Sequence, residues 1–388
     1  MPTSVGPNTK GEENLVFGYD LGDVSNSYKG EPTTNIVTNT NLDTGWSKGY
    51  NKDILVNDYP PPKGVDSQVY SFIDLDGNGN GYWYSYGDYA PQDPSTVYTI
   101  SLWVRTVGNS FRLQGYTANN SEAGRQYTNS ITIPGDGEWH RAEFNALTTP
   151  SNTESDSLSF YFPEIPANQR VWICAPQMEP NSHATPFVNG TRSATQGLLD
   201  LTGNKTLSLA STSFTGNGNI TFDGTDDTIV VPSINLQQDF TLEAVIRMYE
   251  RSSFGIFGQG GFSANQGLHI LYNHGSRGMI FGMYANDNDY GANWIGELNT
   301  YYHVVFTYNH ETHNKEFYAN GVLQNPASST ENAYAGTGDM RIGMTYSPSV
   351  GVVSPAYGDI PVSKLYNKIL TADEVRNNYR HYKTRFDI

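Results

Sequence analysis

The sequence predicts an all-β protein made of two β-sandwich domains, with a short C-terminal helix. At roughly 150 residues per domain, 388 residues suggest about two domains. Aromatic residues make up 13% of the chain, glycine contributes 39 residues, and only 16% of residues are charged, which is typical of strands and turns. Short apolar runs separated by Gly, Asn, Asp or Pro recur along both halves. This spacing favours antiparallel sandwiches over alternating strands and helices.

The first half contains a series of strand-like runs that no amphipathic helix interrupts. The clearest runs are QVYSFIDL, GYWYSYGDY, TVYTISLWVRTV, SFRLQGYTA, EWHRAEFNAL, DSLSFYFPE and RVWICAPQME. A second series begins near Leu198 and includes GNITFDG, FTLEAVIRM, GMIFGMYAN and TYYHVVFTYN. Within FTLEAVIRM, residues 240, 242, 244, 246 and 248 share one face of a strand. YANG predicts a hairpin turn at Asn320–Gly321.

One helix is predicted, at the C-terminus. Thr371 and Glu374 have the spacing of a capping box. The apolar residues that follow, Val375, Tyr379, Tyr382 and Phe386, lie on one helical face. We therefore expect a short helix that packs on a sheet, with Arg380, Lys383 and Arg385 near the end where the helix dipole favours cations.

Charge and cysteine content limit the classes of function. The chain has 23 Lys and Arg against 39 Asp and Glu, a formal net charge of −16. This argues against nucleic acid and anionic membranes as partners, and it is compatible with divalent cations and neutral sugars. Cys174, the single cysteine, lies in the apolar run RVWICA, which predicts a buried and unreactive thiol. We see no secretory signal and no membrane span, so we expect synthesis in the host cytoplasm without membrane insertion.

Several segments of the second half resemble the concanavalin A-like jelly roll of laminin G-type domains, in the version found in phage structural proteins. They are, in order, ITFDGTDDTIVVPS, FTLEAVIRM, YYHVVFTY, EFYANGV and VSKLYNKILTADEVRNNYRHYKTRF. The first half is similar to the β-sandwich carbohydrate-binding modules that accompany such domains in phage fibres, on YWYSYGDYAP, STVYTISLWVRT, GEWHRAEF and QMEPNSHATPFVNGTRS. The resemblance implies two jelly-roll-type sandwiches.

The order of the segments predicts that one domain is inserted into the other. In the phage family, a strand like LVFGYDLGD is usually followed directly by a piece like LLDLTGN, whereas about 165 residues separate them here. We therefore expect an arm at 1–14, a first strand at 15–34 that completes the C-terminal jelly roll, a carbohydrate-module-like sandwich at 35–180, a linker at 181–197 and the jelly roll at 198–388. Two close connections would brace the domains better than one linker.

Catalytic motifs are weak. Glucanases with this fold use paired carboxylates on one strand face, and the nearest match, Glu154 and Asp156, lies in a polar loop of the other domain and lacks the last carboxylate. GFSAN fails as a nucleophile elbow. His310 and His313 fit a solvated turn better than a metal site. We therefore expect no enzyme activity; a glycan-degrading enzyme is the least favoured alternative.

Two acidic segments are candidates for calcium. DLDGNGNG aligns Asp74, Asp76 and Asn78 with the first half of a calcium loop, but Ser85 stands where the bidentate Glu is needed, which favours a hairpin turn. FDGTDD clusters three carboxylates, and related jelly rolls often hold calcium near such loops, although a tight turn is again favoured. These carboxylates belong to Asp223, Asp226 and Asp227.

Two aromatic segments are candidates for glycan binding, because pyranose rings pack their C–H faces on aromatic rings. In YWYSYGDY, Tyr82, Tyr84 and Tyr86 alternate with Trp83, and we expect the tyrosines to face solvent. ANDNDYGANW places two carboxylates beside two aromatic residues, although a polar hairpin tip is the simpler interpretation. Its candidate residues are Asp287, Asp289, Tyr290 and Trp294.

Together these features predict a non-catalytic protein on the surface of a bacteriophage particle, in a tail fibre or as a capsid decoration. We expect it to bind host surface polysaccharide, to contact other virion proteins and to form a homo-oligomer, since repeated weak sites add up to useful avidity. The principal alternative is a purely structural cement or spacer whose aromatic residues are all core.

Overall fold

The computed structural model describes residues 13–43, 46–49, 52–73, 81–85, 90–118, 126–149, 151, 157–163, 165–215, 219–261, 263–273, 278–291, 294–326, 329, 332–347 and 351–388. The chain divides into two compact units. We call Met1–Glu31 with Ala194–Ile388 the jelly roll, and Pro32–Ser193 the inserted unit. Two separate stretches of chain therefore build the jelly roll.

Almost all the secondary-structure elements of the described residues are strands, and two are helices. In chain order they are β1 (Leu15–Asp20), β2 (Thr33–Thr34), β3 (Trp46–Gly49), β4 (Lys52–Val56), β5 (Val69–Ile73), β6 (Gly81–Ser85), β7 (Val97–Val107), β8 (Phe111–Ala118), β9 (Gln126–Tyr127), β10 (Ile131–Ile133), β11 (Asp136–Thr148), β12 (Ser157–Phe162), β13 (Arg170–Glu179), β14 (Thr191–Arg192), α1 (Ala194–Gly197), β15 (Ser208–Ser211), β16 (Ser213–Thr215), β17 (Asn219–Asp223), β18 (Thr228–Val231), β19 (Phe240–Met248), β20 (Phe254–Gln259), β21 (Leu268–Asn273), β22 (Gly278–Met283), β23 (Asp287–Asp289), β24 (Tyr301–Tyr308), β25 (Lys315–Ala319), β26 (Val322–Gln324), β27 (Met340–Ile342), β28 (Met344–Ser347), β29 (Gly351–Pro355), β30 (Tyr357–Tyr366) and α2 (Ala372–Phe386).

The jelly roll consists of two antiparallel sheets around one apolar core. An eight-stranded sheet has the order β16-β17-β30-β19-β24-β25-β26, with β1 also on β30, and a seven-stranded sheet has the order β15-β18-β27-β20-β21-β22-β23. The alternation expected in β19 is observed, because Phe240, Leu242 and Ile246 are fully buried in the core. The predicted hairpin turn at Asn320–Gly321 is confirmed by positive φ angles of 50° and 76°.

Strand β1 completes the eight-stranded sheet. It pairs antiparallel with β30 from Leu15 opposite Tyr366 to Asp20 opposite Val362. β17 pairs with the start of the same strand, at Tyr357 and Gly358. Without β1, the second half of β30 would present unpaired backbone groups. The pairing is the one expected from the separation of the two segments in the sequence.

The segment that follows the second connection is hydrogen-bonded to β1. Leu201 N donates to Gly18 O at 2.8 Å, and Gly18 N donates to Asp200 Oδ1 at 3.0 Å. The buried Asp200 carboxylate also accepts the backbone N–H groups of Thr202, Asn204 and Lys205. One carboxylate thus closes the DLTGN turn and joins it to β1, although more than 160 residues of chain lie between them.

Helix α2 begins at the predicted capping box: Glu374 N donates to the Thr371 side chain and the Glu374 side chain accepts from Thr371 N. Val375 and Tyr382 are buried, as their spacing predicts. Arg385 does more than balance the helix dipole, because its two terminal nitrogens donate to the two oxygens of Asp20 at 2.6 Å each. This bidentate ion pair ties α2 to the end of β1.

The inserted unit is a second sandwich. Its larger sheets have the orders β10-β8-β12-β6-β3, with β9 on β8, and β11-β7-β13-β5-β4. Trp83 is fully buried and packs against Tyr70 and Phe72, with ring centroids 5.4 and 5.7 Å apart. Cys174 is buried, and burial raises the pKa of its thiol to about 12, consistent with an unreactive side chain.

The segment predicted as a linker, 181–197, differs from the expectation. Thr185 and Arg192 are buried, and the Thr185 hydroxyl and backbone N–H both donate to the Glu179 carboxylate, at 2.7 and 2.9 Å. Most of this segment therefore packs within the inserted unit, and the units divide between Ser193 and Ala194. Its turn-rich composition gave no sign of these contacts. No helix among the described residues combines the length and apolarity needed to cross a membrane.

Candidate functional site

A pocket of about 260 Å³ lies on the outer face of the seven-stranded sheet of the jelly roll. Because side chains alternate along β21, Leu268, Ile270 and Tyr272 enter the core, while the residues between them face outward. A cavity of roughly 150 Å³ holds a benzene ring, so this pocket has room for one substituted six-membered ring. Its lining residues are Gly261, Gly267, Leu268, His269, Leu271, Tyr284, Ala285, Asp287, Thr345, Val353 and Ser354.

A histidine and an aspartate meet in this pocket across a glycine. His269 lies opposite Gly282 on β22, and Gly282 lies opposite Asp287 on β23. His269 Nε2 is 3.0 Å from Asp287 Oδ1, and the two side chains are 21% and 22% exposed. A Cβ atom on Gly282 would come within 2.0 Å of His269 Nε2. The missing side chain therefore allows the imidazole to lie across the middle strand and reach the carboxylate.

The imidazole is held at both nitrogens. Its Nδ1 is 2.8 Å from Gly267 O, while Nε2 faces Asp287. A carbonyl and a carboxylate both accept hydrogen bonds, so each ring nitrogen faces an acceptor. The two contacts fix the orientation of the ring beside the carboxylate.

Tyr284 stands at the rim of the pocket on a strained turn. Tyr284 and Ala285 join β22 to β23 with φ angles of 43° and 58°, the type I′ geometry that usually takes Asn-Gly. Non-glycine residues in this region cost on the order of 1 kcal/mol each. Asn286, the next residue, is held in position because the buried Lys315 Nζ donates to its carbonyl oxygen at 2.7 Å. This contact holds the strained turn in place. The Tyr284 side chain on the turn is 39% exposed.

This arrangement suits binding of a small polar ring. Tyr284 offers an aromatic face at the rim, Leu271 and Val353 provide apolar wall, and Asp287 offers a carboxylate. Pockets for small ligands commonly combine apolar lining with a few fixed polar groups. Asp287 is the one carboxylate among the lining residues, whereas glycoside hydrolysis normally uses a pair. The carboxylate-pair arrangement of most glycoside hydrolases is therefore not present among these lining residues.

The structure divides the residues predicted in ANDNDYGANW. Asp287 and Asp289 lie half-buried on β23, and Asp287 lines the pocket. Tyr290 and Trp294 were predicted to bind a glycan, and this is wrong. Tyr290 is fully buried with its ring centroid 5.0 Å from that of Phe317, and Trp294 is 8% exposed and packs on the same phenylalanine. Both rings fill the core where the chain crosses the end of the sandwich.

For several other predicted residues, either the whole residue or its side chain lies outside the described part of the structure. Tyr86 and the calcium-loop candidates Asp74, Asp76 and Asn78 are outside the described residues. Tyr82 and Tyr84 belong to β6 and pair with Tyr161 and Ser159, but their side chains are not described. Glycan binding by this strand stays a prediction.

The carboxylates of Asp223, Asp226 and Asp227 do come together. Their ligand oxygens lie within 4.8 Å of one another. Asp227 is buried and accepts from Asp223 N at 2.9 Å and from Ser213 Oγ at 3.2 Å. Burial raises the pKa of Asp227, and the charge of Asp223 raises it further. The hydrogen bonds fit a tight turn, so calcium at this cluster stays a prediction.

Sequence reasoning missed His269 and Tyr284. GLHILYN was recognised as a strand, but an isolated histidine carries no signal until its cross-strand neighbour is known. Tyr284-Ala285 lacks the Asn-Gly signature of its turn, so only the backbone shows that the tyrosine is presented outward. The register of β21, β22 and β23 is the information that the sequence lacks.

Comparison with known proteins agrees with the fold of the jelly roll. Residues 223–376 match the laminin G family model described as the concanavalin A-like lectin/glucanases superfamily. No curated protein sequence matches the chain. A structure of botulinum neurotoxin type C is similar over 49% of this chain and 49% of its own, at 13% identity and a TM-score of 0.35.

Two further solved structures belong to sialidases. The Trypanosoma rangeli sialidase aligns over 80% of this chain and 60% of its own, at 13% identity and a TM-score of 0.37. The CBM40 module of a Ruminococcus gnavus sialidase, bound to α2,6-sialyllactose, aligns over 41% and 95%, at 16% identity and a TM-score of 0.32. The chain covers less than two thirds of the toxin and of the T. rangeli enzyme, and at these TM-scores no function is transferred from any of the three.

Proposed function

We propose that this protein is a non-catalytic glycan-binding protein of a bacteriophage particle, and that the jelly-roll pocket binds one sugar ring of a host surface polysaccharide. The observation that carries the proposal is the strained presentation of Tyr284 beside the His269–Asp287 pair. The sugar's C–H face packs on the tyrosine ring, and a ligand hydroxyl donates to Asp287. The lectin-containing superfamily of the matching family model also supports this role.

The location on a virion rests on the resemblance of the segment order to phage structural proteins. In a tail fibre or capsid decoration, the chain would be present in several copies, as a homo-oligomer or through other virion proteins. Such repetition turns a weak single site into useful avidity. Antibodies against the purified protein should label intact particles, and light scattering of the protein should give a mass above that of one chain.

Binding is tested with purified full-length protein on a panel of immobilised host surface polysaccharides and neutral oligosaccharides, followed by calorimetry on positive ligands. Tyr284→Ala should weaken binding about tenfold, equivalent to roughly 1.4 kcal/mol. Tyr357→Ala is the matched control, because Tyr357 is also 39% exposed on the jelly roll but does not line the pocket. Parallel series with calcium and with chelator test the Asp223 cluster at the same time.

A purely structural cement or spacer is the second candidate. The burial of Tyr290 and Trp294 favours it, since two predicted binding aromatics are core residues. Absence of saturable binding by multivalently displayed wild-type protein would support this alternative. Equal loss of affinity in Tyr284→Ala and Tyr357→Ala would also count against the pocket as the binding site.

A further inference from the structure

A second cluster of aromatic residues surrounds an arginine on the inserted unit. On the five-stranded sheet, Arg105 of β7 lies opposite Trp139 of β11 and Trp172 of β13. The core residues Val104 and Val171 occupy neighbouring positions with the opposite orientation, so this row faces outward. Tyr59 lies above Arg105. We call Tyr59, Arg105, Trp139 and Trp172 the Arg105 cluster.

The guanidinium of Arg105 lies in the corner between two aromatic rings whose planes are inclined at 54°. Its Cζ is 3.9 Å from the centroid of the Tyr59 ring and 4.6 Å from that of the Trp172 ring. The two rings are 5.9 Å apart, and Trp139 lies 6.4 Å from Tyr59. The two rings limit the sides from which a ligand can approach the guanidinium, whose N–H groups point outward along its edge.

The loop that carries Tyr59 is fixed on the sheet. Asp58 Oδ2 accepts from Ser71 Oγ at 2.9 Å and from Trp172 Nε1 at 3.2 Å. Trp139 Nε1 donates to Pro60 O at 3.1 Å. Both indole N–H groups are thus used to hold the loop, and three successive prolines restrict its backbone. The stacked arginine is therefore oriented before any ligand arrives.

The charge of Arg105 is not compensated within the part of the chain that the structure describes. The neighbouring arginines on this sheet have acidic partners: Arg141 is paired with Glu143 and Arg170 with Asp53. Arg105 makes no ion pair or hydrogen bond among the described residues, and its Nε is buried without a partner. The protein has a net charge of −16, yet the carboxylate next along the chain from Tyr59, that of Asp58, bonds to Ser71 and Trp172 instead of Arg105.

We propose that the Arg105 cluster binds the carboxylate of an acidic sugar in a polysaccharide. A carboxylate is planar and accepts two parallel N–H bonds, which matches the exposed edge of a stacked guanidinium. Tyr59 is 36% exposed and Trp139 is partly exposed, so the sugar ring that carries the carboxylate can pack its C–H face on them. This site is distinct from the jelly-roll pocket, and neither proposal depends on the other.

The sugar acid is favoured over an acidic peptide by the aromatic surface beside the arginine. A peptide carboxylate sits on a flexible side chain and needs only the charge, whereas a sugar acid places a rigid ring within reach of Tyr59 and Trp139. A phosphorylated sugar can also accept two parallel N–H bonds from a guanidinium, so the experiment has to separate it from a sugar acid. These two classes serve as separate arms of the test.

Calorimetry on the full-length protein tests the site with oligogalacturonate, oligoglucuronate and oligosialic acid. Saturable binding of at least one sugar acid is expected, with affinity lowered at least tenfold when its carboxylates are methyl-esterified. Arg105→Gln should lower affinity at least tenfold, and Arg105→Lys should lower it by a smaller factor, because lysine keeps the charge but loses the planar edge. Arg112→Gln is the control, since it removes the same charge on β8 in the other sheet.

Several results would overturn the proposal. They are the absence of binding at millimolar sugar acid, equal binding of the methyl ester, and equal binding of an oligoglutamate peptide or a sugar phosphate. If Arg105→Gln lowers the melting temperature strongly, Tyr59→Ala provides an independent test, because it removes one stacking partner on an exposed loop. Unchanged affinity in both Tyr59→Ala and Arg105→Lys would show that the cluster only packs the loop.

Discussion

In the part of the jelly roll that the structure describes, each of the two large sheets carries a histidine–carboxylate pair, and the surroundings of the two pairs differ. On the eight-stranded sheet, His303 Nε2 is 2.7 Å from Glu243 Oε1 and both side chains are 0% exposed. On the seven-stranded sheet, His269 Nε2 is 3.0 Å from Asp287 Oδ1 and both are about one-fifth exposed. The same type of pair thus occurs once in the solvent-excluded interior and once at a partly solvent-exposed position.

Helix α2 accounts for the difference. The face of β19 opposite the core carries Thr241, Glu243 and Val245, all fully buried, because α2 lies over it and Tyr382 packs against Val245. Asn378 of the helix donates to Glu243 Oε2 at 3.2 Å, and Tyr366 donates to the same oxygen at 3.0 Å. The outer face around His269 lies beside the β28–β29 hairpin, whose Thr345, Val353 and Ser354 line the pocket with it. There the pair keeps about one-fifth of each side chain exposed, whereas α2 buries the pair on the other sheet completely.

The largest expected effect is that of Glu243→Gln. Removing one partner of a buried ion pair costs about 3–5 kcal/mol, here because Lys364 and His303 lose the charge they face. Chemical denaturation should show this loss in the free energy of unfolding, while glycan binding by the folded fraction remains unchanged. A loss below about 1 kcal/mol would mean that the buried pair contributes no more to the free energy of unfolding than the exposed pair does.

Acid should destabilise the jelly roll through the same carboxylate. Burial alone would raise the pKa of Glu243, but the hydrogen bond from His303, the charges of Lys364 and His303, and the hydrogen bond from Tyr366 lower it from 4.5 to about 2. The stabilisation is therefore complete above pH 4.5 and lost as the pH falls to about 2, by roughly 3 kcal/mol in total. Denaturation curves from pH 6 to pH 2 measure it. In Glu243→Gln this part of the pH dependence should be absent.

Gly282→Ala should break the contact between His269 and Asp287 with little loss in the free energy of unfolding. The new methyl group meets only the far end of the His269 side chain, which can rotate away, so we expect a change in the free energy of unfolding within about 1 kcal/mol. Glycan affinity should fall, since the imidazole can no longer reach Asp287. If glycan affinity is unchanged although the His269 imidazole has moved, the His269–Asp287 pair is not part of the binding site.

The smallest effect on stability is expected for Asp287→Asn. Exposed ion pairs contribute about 0–1 kcal/mol, so thermal and chemical unfolding should be nearly unchanged. Binding should weaken, because an amide offers one acceptor oxygen in place of two. A destabilisation as large as that of Glu243→Gln would contradict the distinction between the two faces.

Much of the fold was predictable because it depends on local patterns. Strand alternation placed Phe240 and Leu242 in the core, the capping box placed the start of α2, and the order of segments placed β1 beside β30. The candidate site was predicted only through Asp287. Tyr290 and Trp294 look like surface aromatics beside carboxylates, yet the chain turns inward after β23. His269 gains its role from cross-strand neighbours that a linear pattern does not contain.

The ion pair between Arg385 and Asp20 and the pairing of β1 with β30 have a mechanical consequence. Both β1 and α2 belong to the jelly roll. Residues 32–193 are inserted in the chain between these two elements and fold as a separate unit. A load applied between β1 and α2 is therefore carried by the jelly roll alone. The inserted unit experiences tension only after β1 has parted from β30 and from the segment around Leu201.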